Sequence, residues 1–233
     1  ISTDSAYNYP YAQTPSFMHK GGYMYTTIKV LNVFPVEDQA DSAVRADLKI
    51  NGRAAYDHQL VDFEKKIKAD SIQISADSKT ISDWLDKHQQ QYIRGKWGAF
   101  VVIHNEGNGE PIKYDDVVAL NYTEKILDST KIVDSSTDPQ FQHEGTFEVT
   151  MRKLGSVIPG WTDALMQLKK GAKATVYLPS SLAFGKQGKP GKIPPNAIIV
   201  FDVDIVNVIS EDQALQIVSE NRKRAEASEK KQN

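Results

Sequence analysis

The chain has 233 residues with 40% hydrophobic and 25% charged content, 14 glycines and 10 prolines, which excludes collagen-like, low-complexity and wholly disordered readings and leaves room for one large domain or two modest ones. A net charge of −2 gives no general attraction for phosphate backbones or acidic lipid surfaces, so nucleic acid is not expected as a partner. With no cysteine, disulfides, thiolate metal sites and cysteine nucleophiles are ruled out, and no run approaches the roughly 18 apolar residues of a membrane span.

The chain opens on Ile1-Ser2-Thr3-Asp4 rather than Met. This predicts a trimmed start and an exported, periplasmic or lipid-anchored envelope location, with the cytoplasm left open. Within residues 1–35 the block Ile28-Lys29-Val30-Leu31-Asn32-Val33, followed by Glu37-Asp38-Gln39-Ala40, echoes Val203-Asp204-Ile205-Val206-Asn207-Val208, followed by Glu211-Asp212-Gln213-Ala214. The two blocks match in order and at nearly the same offset, which favours duplication over chance. Strands are predicted at 4–8 and 23–34.

Residues 36–95 read as a helical linker, because Tyr56, Leu60, Phe63 and Ile67, then Ile81, Trp84, Leu85 and His88 recur at helical spacing. Asn51-Gly52 predicts a break between a first and a second helix, and 75–78 a break before a third. Near residue 95 the period changes. Strand-like runs follow at 99–103, 117–122, 146–151, 174–178 and 198–209. A last helix and tail occupy 210–233, with Ser-Glu-Asp-Gln at 210–213 forming a capping box.

Between 96 and 209 there is no nucleophile or metal constellation: His19, His58, His88, His104 and His143 are scattered, and none pairs with a Ser or Asp motif. The loop Gly185-Lys186-Gln187-Gly188-Lys189-Pro190-Gly191-Lys192 lacks the spacing and the Ser/Thr of a Walker A loop. Hydrolase, metalloenzyme and phosphate-binding readings fall away.

What stands out is an ordered set of aromatic and branched residues beside turns: Val157-Ile158-Pro159-Gly160-Trp161, Ala183-Phe184-Gly185, Ile193-Pro194-Pro195-Asn196-Ala197 and Val200-Phe201-Asp202-Val203. Asn121-Tyr122-Thr123, Val133-Asp134-Ser135-Ser136 and the segment 165–171 fall in sequence around them. Across essentially all of 96–209 this set resembles the FKBP-type peptidyl-prolyl isomerase family.

The resemblance implies an α+β fold, an antiparallel half-barrel sheet wrapped around one short helix, here preceded by the helical segment and the N-terminal β remnant. It places a pocket at Tyr122, Asp134, Phe147, Val157, Ile158, Trp161, Phe184, Ile193 and Phe201, with Trp161 as its floor. Phe184 stands where the family usually has tyrosine, and Val133 where it usually has an aromatic. Lys189 and Lys192, above the pocket, read as a solvated loop. The local signals for the short helix are the turn at Gly160, acidic residues in its first turn and a stop at Gly171 after Lys169-Lys170.

The implied activity is cis–trans isomerisation of X–Pro bonds in unfolded or partly folded proteins, with no cofactor and no metal. Rotating that amide crosses a barrier of roughly 18 to 20 kcal/mol without making or breaking a bond. A dry apolar pocket disfavours the planar, dipolar resonance form, so shape and desolvation do the chemistry and no base is required. Macrolide-type inhibitors and a second copy of the chain are further implied partners. The alternative is a non-catalytic peptide-binding module or chaperone on the same fold, favoured by the Phe184 and Val133 departures and the helical segment.

Overall fold

A computed structural model describes residue 33 and residues 37–143 and 145–232. The chain divides into two compact units, 1–40 and 41–233. In the first, only Val33 and the opening turn of a helix are described, so apart from Val33 the strands predicted at 4–8 and 23–34 lie outside the described residues.

Among the described residues two helices, not three, precede the sheet: α1 (Glu37–Ala69) and α2 (Ser71–Lys87). Helix α1 runs unbroken through Asn51-Gly52. The Asn51 amide donates to Asp47 one turn back, and Gly52 is buried against the side chain of Arg152, so packing overrides the usual helix-breaking tendency of the pair. The break falls instead at Asp70, and residues 75–78 lie inside α2 because Asp77 and Ser78 are buried against the domain.

The helices pack closely within the second unit. Tyr56 meets Tyr114 at 5.2 Å between ring centroids, and Phe63 meets Trp97 edge-on at 4.8 Å. Ile81 and Leu85 of α2 are fully buried with Phe100, Val102, Tyr177 and Val200.

Seven antiparallel strands follow: β1 (Ile93–Arg94), β2 (Phe100–Asn105), β3 (Asp116–Ile126), β4 (Ile132–Ser135), β5 (Phe147–Thr150), β6 (Lys173–Leu178) and β7 (Ile199–Ser210). They are ordered β1-β2-β6-β7-β3-β4, with β5 also on β3. Strict alternation aims Val118, Leu120, Tyr122 and Glu124 of β3, and Ile199, Phe201, Val203 and Ile205 of β7, into the concave face. That face holds α3 (Pro159–Leu165), six of whose seven residues are buried. A Cβ on Gly160 would sit 2.4 Å from Leu178 Cδ1, so the glycine is what lets α3 lie directly on β6.

Helix α3 ends at Leu165, and 166–171 is a run of turns closing at Gly171 with φ +80°. Its acidic residue is not a first-turn charge. Asp163 is 2% exposed, and its carboxylate accepts from the amides of Trp97 (3.0 Å) and Ala99 (2.8 Å), tying α3 to the start of β2. Helix α4 (Glu211–Gln232) begins on the expected capping box: Gln213 N donates to Ser210 Oγ at 3.2 Å and Ser210 N to Gln213 Oε1 at 3.0 Å.

Candidate functional site

Tyr122 is the hub of an aromatic cluster on the concave face. Its ring lies edge-on to Phe147 at 5.5 Å, Trp161 at 5.9 Å and Phe201 at 5.9 Å, and Trp161 lies 4.5 Å from Phe201. Each ring comes from a different element: β3 brings Tyr122, β5 Phe147, α3 Trp161 and β7 Phe201. Trp161 is 4% exposed, its indole set among its neighbours. Val133 and Ile193 are buried in the same cluster, while Phe147, Val157, Ile158 and Phe184 are half-buried against it and form the rim. Of the nine sequence-derived site residues, Tyr122, Phe147, Trp161 and Phe201 thus meet ring to ring, Val157, Ile158, Phe184 and Ile193 pack in the same hydrophobic cluster, and Asp134 joins it through the Tyr122 hydroxyl.

Asp134 Oδ2 accepts from the Tyr122 hydroxyl at 3.1 Å, Oδ1 accepts from the Ser135 amide at 3.0 Å and faces His143 Nε2 at 2.8 Å. Burial works to raise the Asp134 carboxyl, but the bonds from His143 and Tyr122 outweigh it and hold the group below the usual carboxylate range. Burial, with Asp134 beside it, pushes the Tyr122 phenol well above its ordinary value, so it stays a donor at any physiological pH.

The His143 contact corrects the expectation that no histidine pairs with an Asp motif. The imidazole sits in the insertion after the turn Pro139–Phe141, where Gln142 adopts a left-handed φ of 57° that returns the chain towards Asp134. A nine-residue separation across an irregular loop leaves no periodic signal.

The backbone adds a donor. Ile158 precedes α3 in an extended conformation (φ −56°, ψ 142°), and among the described residues its N–H donates to no protein acceptor. It lies at the rim, three residues before the indole.

The loop above the rim is a tight hairpin, with Lys189 N donating to Ile193 O and Ile193 N to Lys189 O, both at 2.8 Å. Gly188 makes it possible: its φ is 62°, and a Cβ there would stand 2.3 Å from Ile193 O. Lys189 is not simply solvated, for its ammonium lies 5.8 Å from the centre of the Phe184 ring.

Sequence reasoning missed a buried acid beside the cluster, Glu124. It lies two residues beyond Tyr122 on the same face, 3% exposed, with Oε1 lacking any partner among the described residues. Burial pushes it up to about 7, with Lys189 and Lys192 pulling down and Asp134 pulling up. Its signal was an acid at an inward-facing position of a strand.

Among the described residues no group of His, Cys, Asp and Glu could hold a metal ion, and no helix is long and apolar enough to cross a membrane.

Comparison with known proteins bears on this arrangement. The family model for the FKBP-type peptidyl-prolyl cis-trans isomerase matches residues 108–206. A probable FKBP-type peptidyl-prolyl cis-trans isomerase of Haemophilus influenzae is 30% identical over 200 residues, spanning 82% of this chain and 76% of that protein. The chain belongs to the FKBP-type peptidyl-prolyl cis-trans isomerase family. FkpA of Escherichia coli is 32% identical over 158 residues, 63% of this chain and 53% of FkpA, so this match spans about half that relative's length. The crystal structure of FkpA from Escherichia coli aligns over 75% of this chain and 72% of that chain, with 29% identity and a TM-score of 0.46.

Proposed function

We propose that this protein accelerates cis–trans isomerisation of X–Pro bonds in unfolded or partly folded proteins, and that the cluster around Trp161 is where it does so. The observation carrying this reading is the meeting of Tyr122, Phe147, Trp161 and Phe201 from four elements beside the unpaired Ile158 N–H. The rings take the proline, the Ile158 amide holds a substrate carbonyl, and Tyr122 and Asp134 set the polar edge. Val157, Phe184 and Ile193 close the sides.

Uncatalysed exchange takes tens to hundreds of seconds. Transfer of the imide into this apolar cluster weakens its planar resonance form, and contacts made better by the twisted amide than by either planar form lower the barrier. A protease-coupled proline-peptide assay tests the proposal: a rate above background that is lost in Trp161→Leu supports it, and a background rate in the wild-type chain overturns it.

A second reading, peptide binding without catalysis, has Phe184 in its favour, because the ring lacks the hydroxyl that the family uses as a donor. Refolding of a proline-limited protein, run beside suppression of aggregation of a proline-independent one, separates the two. We further propose that a macrolide-type inhibitor competes for this site, that two copies pair through the helical segment, and that the chain works in the cell envelope, where a cysteine-free protein is indifferent to an oxidising milieu. Sedimentation and cell fractionation test the last two.

A further inference from the structure

The half-buried ring of Phe184 is carried by a loop rather than a strand: residues 180–187 form two short turns, Ser180–Leu182 and Gly185–Gln187, between β6 and the hairpin at 189–193. Backbone bonds from Gly188 N to Phe184 O (3.1 Å) and from Asn196 N to Gly185 O (2.9 Å) hold the loop on one side of the ring. Before the ring, the holding side chain comes from α2. Asp77, 6% exposed, accepts at Oδ2 from the Ser180 amide (2.8 Å) and the Ser180 hydroxyl (2.5 Å), while Oδ1 accepts from Gln73 Nε2 at 2.8 Å. Ser180 is itself fully buried. On the far side of Phe184, Lys186 reaches Asp70 at the α1–α2 junction, 3.6 Å away. One helix start thus grips the loop four residues before the ring and two residues after it.

The two grips are unequal. The Lys186–Asp70 pair is exposed and contributes little. The Asp77 contacts are desolvated and charge-assisted, and removing the acceptor leaves a buried Ser180 amide and hydroxyl unsatisfied. The α2 helix is anchored on the sheet independently, through Ile81 and Leu85, so Asp77 is a fixed point to which the loop is tied.

We infer that Asp77 is a positioning residue of the isomerase pocket, its carboxylate fixing the turn that presents Phe184 to the peptide. The inference rests on the isomerase reading above and gives the helical segment a task within the site itself.

Asp77→Ala is expected to lower kcat/KM for a proline peptide about three- to tenfold, in line with loss of a hydrogen bond that orders a contact surface. It is also expected to speed amide exchange across 180–187 while β3, β6 and β7 keep wild-type protection. Asp77→Asn retains an acceptor oxygen for Ser180 and is expected to restore both readouts, which a general loss of packing would not do. Should Asp77→Ala fail to fold, Ser180→Ala removes only the hydroxyl donor and is expected to show the same pattern at smaller size. Unchanged exchange at 180–187, or faster exchange with unchanged kcat/KM, overturns the inference. An inactive wild-type chain overturns the isomerase reading instead, and the exchange result then decides by itself whether Asp77 sets the Phe184 turn.

Discussion

Tyr122 and Asp134 are joined across β3 and β4 by a hydroxyl-to-carboxylate hydrogen bond of 3.1 Å, and the same phenol ring packs edge-on against the indole of Trp161. One residue therefore links the polar edge of the aromatic cluster to its buried indole. Removing only the hydroxyl separates the two contributions.

Tyr122→Phe keeps the ring and breaks the link. Net hydrogen-bond contributions of about 0.5 to 1.5 kcal/mol translate into a two- to tenfold lower kcat/KM in the proline-peptide assay. Asp134, deprived of one donor, is expected to titrate closer to the ordinary carboxylate range, which carbon-detected NMR of the carboxyl would report.

Phe184→Tyr introduces the hydroxyl that the family resemblance implies at this position. The ring is half-buried at the rim with Lys189 over its face, so the change adds a donor without altering the packed surface. A rise in kcat/KM of roughly two- to tenfold is expected; a fall would mean that the ring does not face the peptide.

Glu124 gives the protein a pH dependence of definite sign. Its folded-state value is pushed from 4.5 up to about 7 by burial, so folding favours the protonated acid. Below the unfolded value the contribution is fully present; it is lost as pH rises from about 4.5 to about 7 and is level above that. Glu124→Gln is expected to flatten this fall in urea-unfolding experiments at pH 5, 6, 7 and 8 and to leave the variant the more stable at pH 8. Asp134 acts in the opposite sense: held below its usual range, it loses stabilisation only as the medium becomes strongly acidic.

Gly188→Ala places a methyl group 2.3 Å from Ile193 O on a backbone with φ 62°. Both the contact and the dihedral oppose it, so the 189–193 hairpin has to shift, at a cost of about 1 to 3 kcal/mol. Because Ile193 is a wall of the pocket, activity is expected to drop together with the thermal midpoint, and a change in neither would show that the hairpin tolerates the side chain.

The strand runs were legible because alternation has a short period: 117–122 and 174–178 fall within β3 and β6, and 198–209 is one residue out of step with β7. The residues of the aromatic cluster could be named from the sequence because the motifs that carry them are local and ordered. The helix boundaries were not, since Asn51-Gly52 carries a breaking signal that burial against Arg152 overrides, while Asp70, with no such signal, is where the helix stops. The short strand β4 was hidden inside the motif Val133-Asp134-Ser135-Ser136, too brief for a period to show. Asp77 and Ser180, 103 residues apart, and His143 and Asp134 meet only through tertiary packing, which no window of sequence contains.

Strands β4 and β5 lie end to end along the same flank of β3, β4 opposite 123–125 and β5 opposite 117–120. The opposite flank of the sheet is β1, only two residues long. Among the described residues the border strands are thus short: β4 and β5 have 4 residues each, and β1 covers only Phe100 and Val101 of the 6-residue β2, so an extended chain would find only short rows of amides and carbonyls to pair with. For a member of a family whose substrates are polypeptides, short borders limit the pairing of a substrate chain as an extra strand.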